Sequence, residues 1–146
     1  MPLSRAYIAG FVDGEGSIGF CRNRGSAIYP RVLVVNTNLA ILEELRNQYG
    51  GDIAPLSRRK VGWKQGWMWR LSWSRAVNFL SDIQPWLRLK AMQAVAVFCW
   101  DAIRPGRGKS TASAQDERMD AHAYLFDYVR NLNKRGAPHG EETVAA

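Results

Sequence analysis

Two carboxylates separated by one glycine and followed by another, in Asp13-Gly14-Glu15-Gly16, are the residues of this chain best suited to chemistry. A carboxylate is a hard oxygen donor, and it suits a hard divalent cation such as Mg²⁺, which takes few protein ligands. The acids close a ten-residue run, Tyr7-Ile8-Ala9-Gly10-Phe11-Val12-Asp13-Gly14-Glu15-Gly16, that begins as a helix. Ser4 reads as its N-cap, with a hydroxyl able to accept from the first unpaired backbone N–H groups. Ala9 and Gly10 are too small to fill a core, so they let another backbone come close. Gly14 and Gly16 are expected to stop the helix and turn the chain into a strand. Glu15 then stands at the C-terminal end of the helix, where the peptide dipoles place partial negative charge. A cation held between Glu15 and the Gly14 carbonyl reverses the sign of that repulsion. A solvated helix end with an acid in the turn accounts for the same residues without chemistry.

The bulk of the sequence narrows the partner. The 146 residues suit one domain with a real core, and 20 Lys and Arg against 13 Asp and Glu leave a net charge of +7. Such a surplus is the footprint either of a nucleic-acid binder, because Lys and Arg displace counterions from phosphates, or of a basic protein kept soluble by its charge. No apolar run is long enough to cross a bilayer and no leader-like segment opens the chain, so the reading is intracellular, not secreted, with no membrane partner. Cys21 and Cys99 are too few for a disulfide framework and lack metal-site spacing.

The order of residues in the run from Tyr7 to Gly16 resembles the signature of the LAGLIDADG homing endonucleases: both small residues, both glycines and both acids fall in place. The resemblance extends over about residues 5 to 103. It implies DNA cleavage with two such helices packed side by side at a two-fold interface, with Tyr7, Ala9, Gly10 and Asp13 as candidate interface residues. It implies that Glu15, with Gly14, holds a catalytic Mg²⁺, and that Asp13 holds the turn. The signature usually has Asp where this chain has Glu15. A second stretch, Gln84-Pro85-Trp86-Leu87-Arg88-Leu89-Lys90, is similar to a turn and helix start of the same family. There Lys90 matches the lysine near the scissile phosphate, and Asn36 resembles a polar residue that orders water near the metal.

Around these residues the chain reads as α+β, in the order αββαββα with a further C-terminal helix. The first strand runs from Ser17 to about Arg24 and the second from Ala27 to Asn36, where Pro30 is expected at an edge or bulge. Thr37 or Asn38 caps a helix that ends at Gly50-Gly51. A weak strand over residues 53–58 and a basic turn lead to a strand over residues 67–73. A helix capped by Ser74 carries Val77, Leu80 and Ile83. After Pro85 a helix is expected from Trp86 to Ile103, with Leu87, Ala91, Val95, Phe98 and Ala102 on its inner face. A last helix spans about Ala114 to Asn133. The domain is read as residues 1–133, with a disordered tail over 134–146. The four strands form an antiparallel, saddle-like sheet with helices on one face and the other face open.

That open face is where the arginines collect. Strand alternation puts Cys21, Asn23, Tyr29, Arg31 and Leu33 on it, flanked by Arg22, Arg24, Arg58, Arg59, Lys60 and Lys64. A β-ribbon of this kind enters the major groove, where Arg pairs with guanine and Asn or Gln with adenine. On the last strand alternation leaves open whether Arg70 and Ser72 or Trp67 and Trp69 face outward. The cluster Trp63, Trp67, Trp69 and Trp73 also suggests a stacking platform for single strands. Core packing is the favoured role for Trp73.

One signature per chain implies a homodimer, since cutting two strands needs acids from two copies. The expected function is site-specific double-strand cleavage of a long, near-palindromic DNA site by an intron-encoded homing endonuclease. Two rivals share the scaffold: an RNA-binding maturase, whose partner is intron RNA, and a DNA-binding regulator that does not cut.

Overall fold

The structure is a computed structural model that describes residues 2–57, 60–104 and 111–134. Helix α1 (Arg5–Glu15) leads without a loop into β1 (Gly16–Arg22), which turns back as β2 (Ile28–Asn36). Helix α2 (Leu39–Tyr49) connects to β3 (Asp52–Pro55) and β4 (Trp67–Ser72). Then come α3 (Ser74–Ile83), a 3₁₀ turn (Gln84–Trp86), α4 (Ala91–Ala102) and α5 (Ala112–Leu132). The strands form one antiparallel sheet in the order β1-β2-β4-β3. The expected α+β architecture is therefore the observed one. Arg58, Arg59, residues 105–110 and the expected tail at 135–146 lie outside the described residues.

Alternation decides which side of the sheet is covered. Ile28, Pro30, Val32 and Val34 of β2 are buried, while the residues between them are half-buried or exposed. Ile18, Trp69 and Leu71 join the same core, beneath Ile8 and Val12 of α1, Leu42 and Leu45 of α2 and Phe79, Leu80 and Ile83 of α3. Burying a side chain of this size is worth about 1.5–3 kcal/mol each. Trp69 is fully buried, its indole N–H donating to the Gly50 carbonyl at 2.8 Å. Gly51 allows this approach: its φ is +95°, and a Cβ there would lie 2.5 Å from the Arg70 carbonyl oxygen.

Three expectations change. Pro30 lies in an inner strand, not at an edge or bulge. Its carbonyl accepts from Trp73 just past the end of β4, so the N–H it lacks would have had no strand partner. Helix α1 continues through Gly14 to Glu15, so Gly14 does not stop it. Helix α4 begins at Ala91, not Trp86, and turns Gln93, Ala94, Ala96, Val97 and Trp100 inward while Val95 is exposed. A helix apolar on nearly all sides carries little phase information in its sequence.

Candidate active site and nucleic-acid interface

Helix α1 divides its residues cleanly. Ile8, Ala9, Val12 and Asp13 face inward and are buried, whereas Tyr7, Gly10 and Gly14 are exposed and Phe11 is half-buried. Ala9 and Asp13 are thus unavailable to a partner helix, which corrects their assignment to an interface. A Cβ placed on Gly10 or Gly14 would meet no atom within 4 Å, so both glycines open onto empty space. The Tyr7 and Phe11 rings stack along the same side at 6.2 Å. Trp86 and Leu89, 43% and 76% exposed, add apolar surface where the segment before α4 meets the end of α1.

Asp13 does more than hold its own turn. Its carboxylate accepts from the backbone N–H groups of Arg88 at 2.8 Å, Leu89 at 3.1 Å and Lys90 at 3.0 Å. Successive amides converging on one anion form a nest, and charge-assisted bonds of this kind are the strong ones. The Lys90 ammonium in turn donates to the Asp13 carbonyl oxygen. A cation at the C-terminal end of a helix opposes the dipole there. The two halves of the site, 75 residues and more apart in sequence, are therefore tied at one residue.

The carbonyls at the end of α1 lack helical partners as a class. Val12 accepts from the Gly16 N–H and Asp13 from Lys90. Glu15 is exposed immediately beyond them. Among the described residues no group of three or more His, Cys, Asp or Glu is placed to hold a metal. Glu15 and the Gly14 carbonyl are hard oxygen donors of the right class for Mg²⁺, but one carboxylate per chain leaves the set to be completed by other oxygens. Asn36 is not drawn to this centre by any described contact. Its Oδ1 accepts from the Asn38 N–H at 2.8 Å, shaping the turn into α2, and by alternation it lies on the helix side of β2.

The open face carries part of the expected footprint. Tyr29, Arg31 and Leu33 project from β2 opposite Cys21, Gly19 and Ser17 of β1. Leu33 also pairs with Arg70, and Arg31 with Ser72, so β4 presents Arg70 and Ser72 to that face. Trp69 is core, and Trp67 is half-buried and packed against the core, which corrects both. Asn23 spends its Oδ1 on the Ala27 N–H within the hairpin turn. Arg22 falls on the helix side, its guanidinium 4.9 Å over the Phe126 ring. Arg24 and Lys64 are exposed, and the Lys60 ammonium sits 5.7 Å over Trp63.

Some residues escaped the sequence. Val35 and Met68 pair on the open face. At the β1 edge a cavity of about 340 Å³ is lined partly by Arg31, Arg130 and Lys134, so the end of α5 adds cations beside the sheet. Asn133 fixes α5 there by donating to the Ile18 carbonyl at 2.9 Å and accepting from Gln93 at 3.2 Å. The basic residues closing α5 were the available signal.

Solved structures share this architecture. The homing endonuclease I-CvuI, in complex with its target in the presence of Ca, has a TM-score of 0.68 and 20% identity over 97% of this chain and 89% of that one. The homing endonuclease I-TnaI has a TM-score of 0.63 and 18% identity, covering 99% and 98% of the two chains. The LAGLIDADG homing endonuclease I-SmaMI, bound to cleaved DNA, has a TM-score of 0.63 and 15% identity over 98% of this chain and 47% of that one. No family model and no curated protein sequence matches this chain. The fold is that of the LAGLIDADG homing endonucleases.

Proposed function

We propose, with that fold as premise, that the chain is a site-specific, metal-dependent double-strand DNA endonuclease of the homing type, acting as a homodimer. The observation that carries the reading is the tie between Asp13 and residues 88–90, which fixes Lys90 on Asp13, itself two positions before exposed Glu15. A mobile lysine near an acid would be a surface pair. A lysine held on a helix end that also carries an exposed carboxylate is a preorganised site for a phosphate.

Glu15, with the Gly14 carbonyl, would hold Mg²⁺, which when bound would lower the pKa of water and offset charge on phosphate oxygens. Lys90 stabilises the negative charge that builds on the phosphoryl oxygens. Water oxygen bonds to phosphorus as the bond to the 3′ oxygen breaks in line. The net water proton ends on that oxygen, leaving a 5′ phosphate and a 3′ hydroxyl. Arg31 and Arg70 on the open face supply donors for phosphates or guanine edges. A second copy packed on Gly10 and Gly14 brings a second Glu15 and extends the open face across the axis, so the site would be long and near-palindromic.

Glu15→Gln tests the core of the reading. With plasmids carrying candidate insertion sites and Mg²⁺, the variant is expected to lose cutting by about two to three orders of magnitude, roughly what losing a key electrostatic group costs. Its affinity for the same DNA should stay within about threefold. Cutting by the variant at the native rate sinks the assignment. Native protein that cuts no such site yet binds intron RNA tightly would favour the maturase.

A further inference from the structure

At the far end of the sheet from Glu15 a cleft of about 310 Å³ opens between the β1–β2 turn, α4 and α5. That volume falls in the range of small-ligand sites. Its lining includes Arg22, Trp73, Trp100, Arg104, Arg118 and His122. The strand alternation that buries Trp69 says nothing about Trp73, which follows β4. Its indole is 40% exposed, against 0% for Trp69 and 1% for Trp100, so core packing is not its main role.

The backbone at Trp73 is strained. Its φ of 56° and ψ of −134° are among the least favoured for a bulky residue. The strain is held from both sides: its N–H donates to Pro30 at 3.1 Å and its carbonyl accepts from Val77 at 3.2 Å. Glycine would make this turn at less cost, yet the position carries the largest side chain available. Strain of this kind persists where the surrounding structure enforces it, and it gathers at binding and catalytic sites. One face of the indole stacks on Tyr29 at 4.8 Å and 12°, and Trp100 meets it edge-on at 6.0 Å and 61°.

Two guanidinium groups are splinted at the cleft by aromatic rings. Arg104 lies 5.0 Å over Trp100 and donates to the Ser74 hydroxyl at 3.1 Å and to Asp101 at 3.4 Å. Arg22 lies over Phe126. A partly exposed indole lining the same cleft as two ring-splinted guanidiniums fits a ligand that carries both a flat ring and a negative charge. A nucleotide has both. In a duplex the base faces are already stacked, so a free face comes from an unpaired strand.

We propose that this cleft binds one unstacked nucleotide of a single-stranded nucleic acid, with the base on Trp73 and its phosphate between Arg22 and Arg104. The site is separate from the Glu15 centre and does not depend on cutting. Tyr29, on the open face, is stacked on Trp73, so a strand in the cleft would continue from the edge of that face.

The test uses the full chain without metal and short fluorescein-labelled oligothymidylate and oligouridylate, followed by anisotropy and tryptophan quenching. Unlabelled duplex DNA is kept saturating so that the open face is occupied. The labelled strand should bind with duplex present, and the tighter of the two probes tells whether a deoxy or ribo strand is the better ligand. Trp73→Gly relieves the strained turn and should weaken binding about tenfold or more, the scale of one lost base stack. Trp73→Phe should retain affinity within about threefold. Arg104→Met leaves the stack intact and should also weaken binding. Duplex affinity of these variants should not change. Full displacement of both probes by duplex overturns the proposal, as does native affinity in Trp73→Gly. If circular dichroism shows that variant unfolded, native affinity in Arg104→Met overturns it instead.

Discussion

At the scale of single residues, Asp13 and Glu15 differ by what surrounds them. Both are carboxylates on the last turn of one helix, yet Asp13 is 8% exposed with three backbone donors and Glu15 is open. Asp13→Asn keeps the shape, removes the charge and turns an amide group toward a nest of N–H donors. Loss of charge-assisted bonds at a buried site predicts a stability drop of about 1–3 kcal/mol, measured by urea unfolding. Cutting should fall in kcat more than in DNA affinity, since Lys90 loses its anchor. An unchanged kcat would show that the tie is structural only. The resemblance gave the two acids different roles, while the partner of Asp13 was invisible to the sequence, because no local pattern links position 13 to position 88.

Among the elements, three helices meet at one surface acid. The Tyr49 hydroxyl at the end of α2 donates to the Asp82 carboxylate of α3 at 2.9 Å, and Arg5 of α1 lies 3.3 Å from the same oxygen. Burial, and then the bond to Asp82, push the Tyr49 phenol up to about 12 from its usual 10.0. The unfolded chain gives up this proton first. The bond's contribution is therefore complete below about pH 10 and is lost as pH rises through about 12. Tyr49→Phe should cost about 1 kcal/mol at neutral pH and flatten the alkaline fall in melting temperature. An identical alkaline limb in the variant would rule the tyrosine out as its source. Element boundaries that depend on local signals were legible, such as the Asn38 cap of α2, which accepts from Ile41 at 3.3 Å. The start of α4 was not, because a carboxylate from another helix holds residues 88–90.

For the whole molecule, the open question in the fold is what covers the outer side of α1. Gly10 and Gly14 form a smooth strip bordered by Tyr7 and Phe11, and the homodimer reading places a second α1 there. Gly10→Arg tests this without disturbing the chain itself, because no atom of the protein lies within 4 Å of the new Cβ. Light scattering should show the mass halved, circular dichroism should be unchanged, and double-strand cutting should be lost. A variant that remains dimeric would move the axis elsewhere.

The sequence by itself determined the signature helix, the alternating strands, the acid at the helix end and the basic character of the chain, because each is written in spacing or composition. Tertiary structure decided which side each residue serves. Ala9 and Trp69 face inward, Arg22 turns to the helices, and Trp73 leaves the core. The reason is geometric: a period of 3.6 or 2 says that faces exist, and only packing between distant segments says which face meets the core.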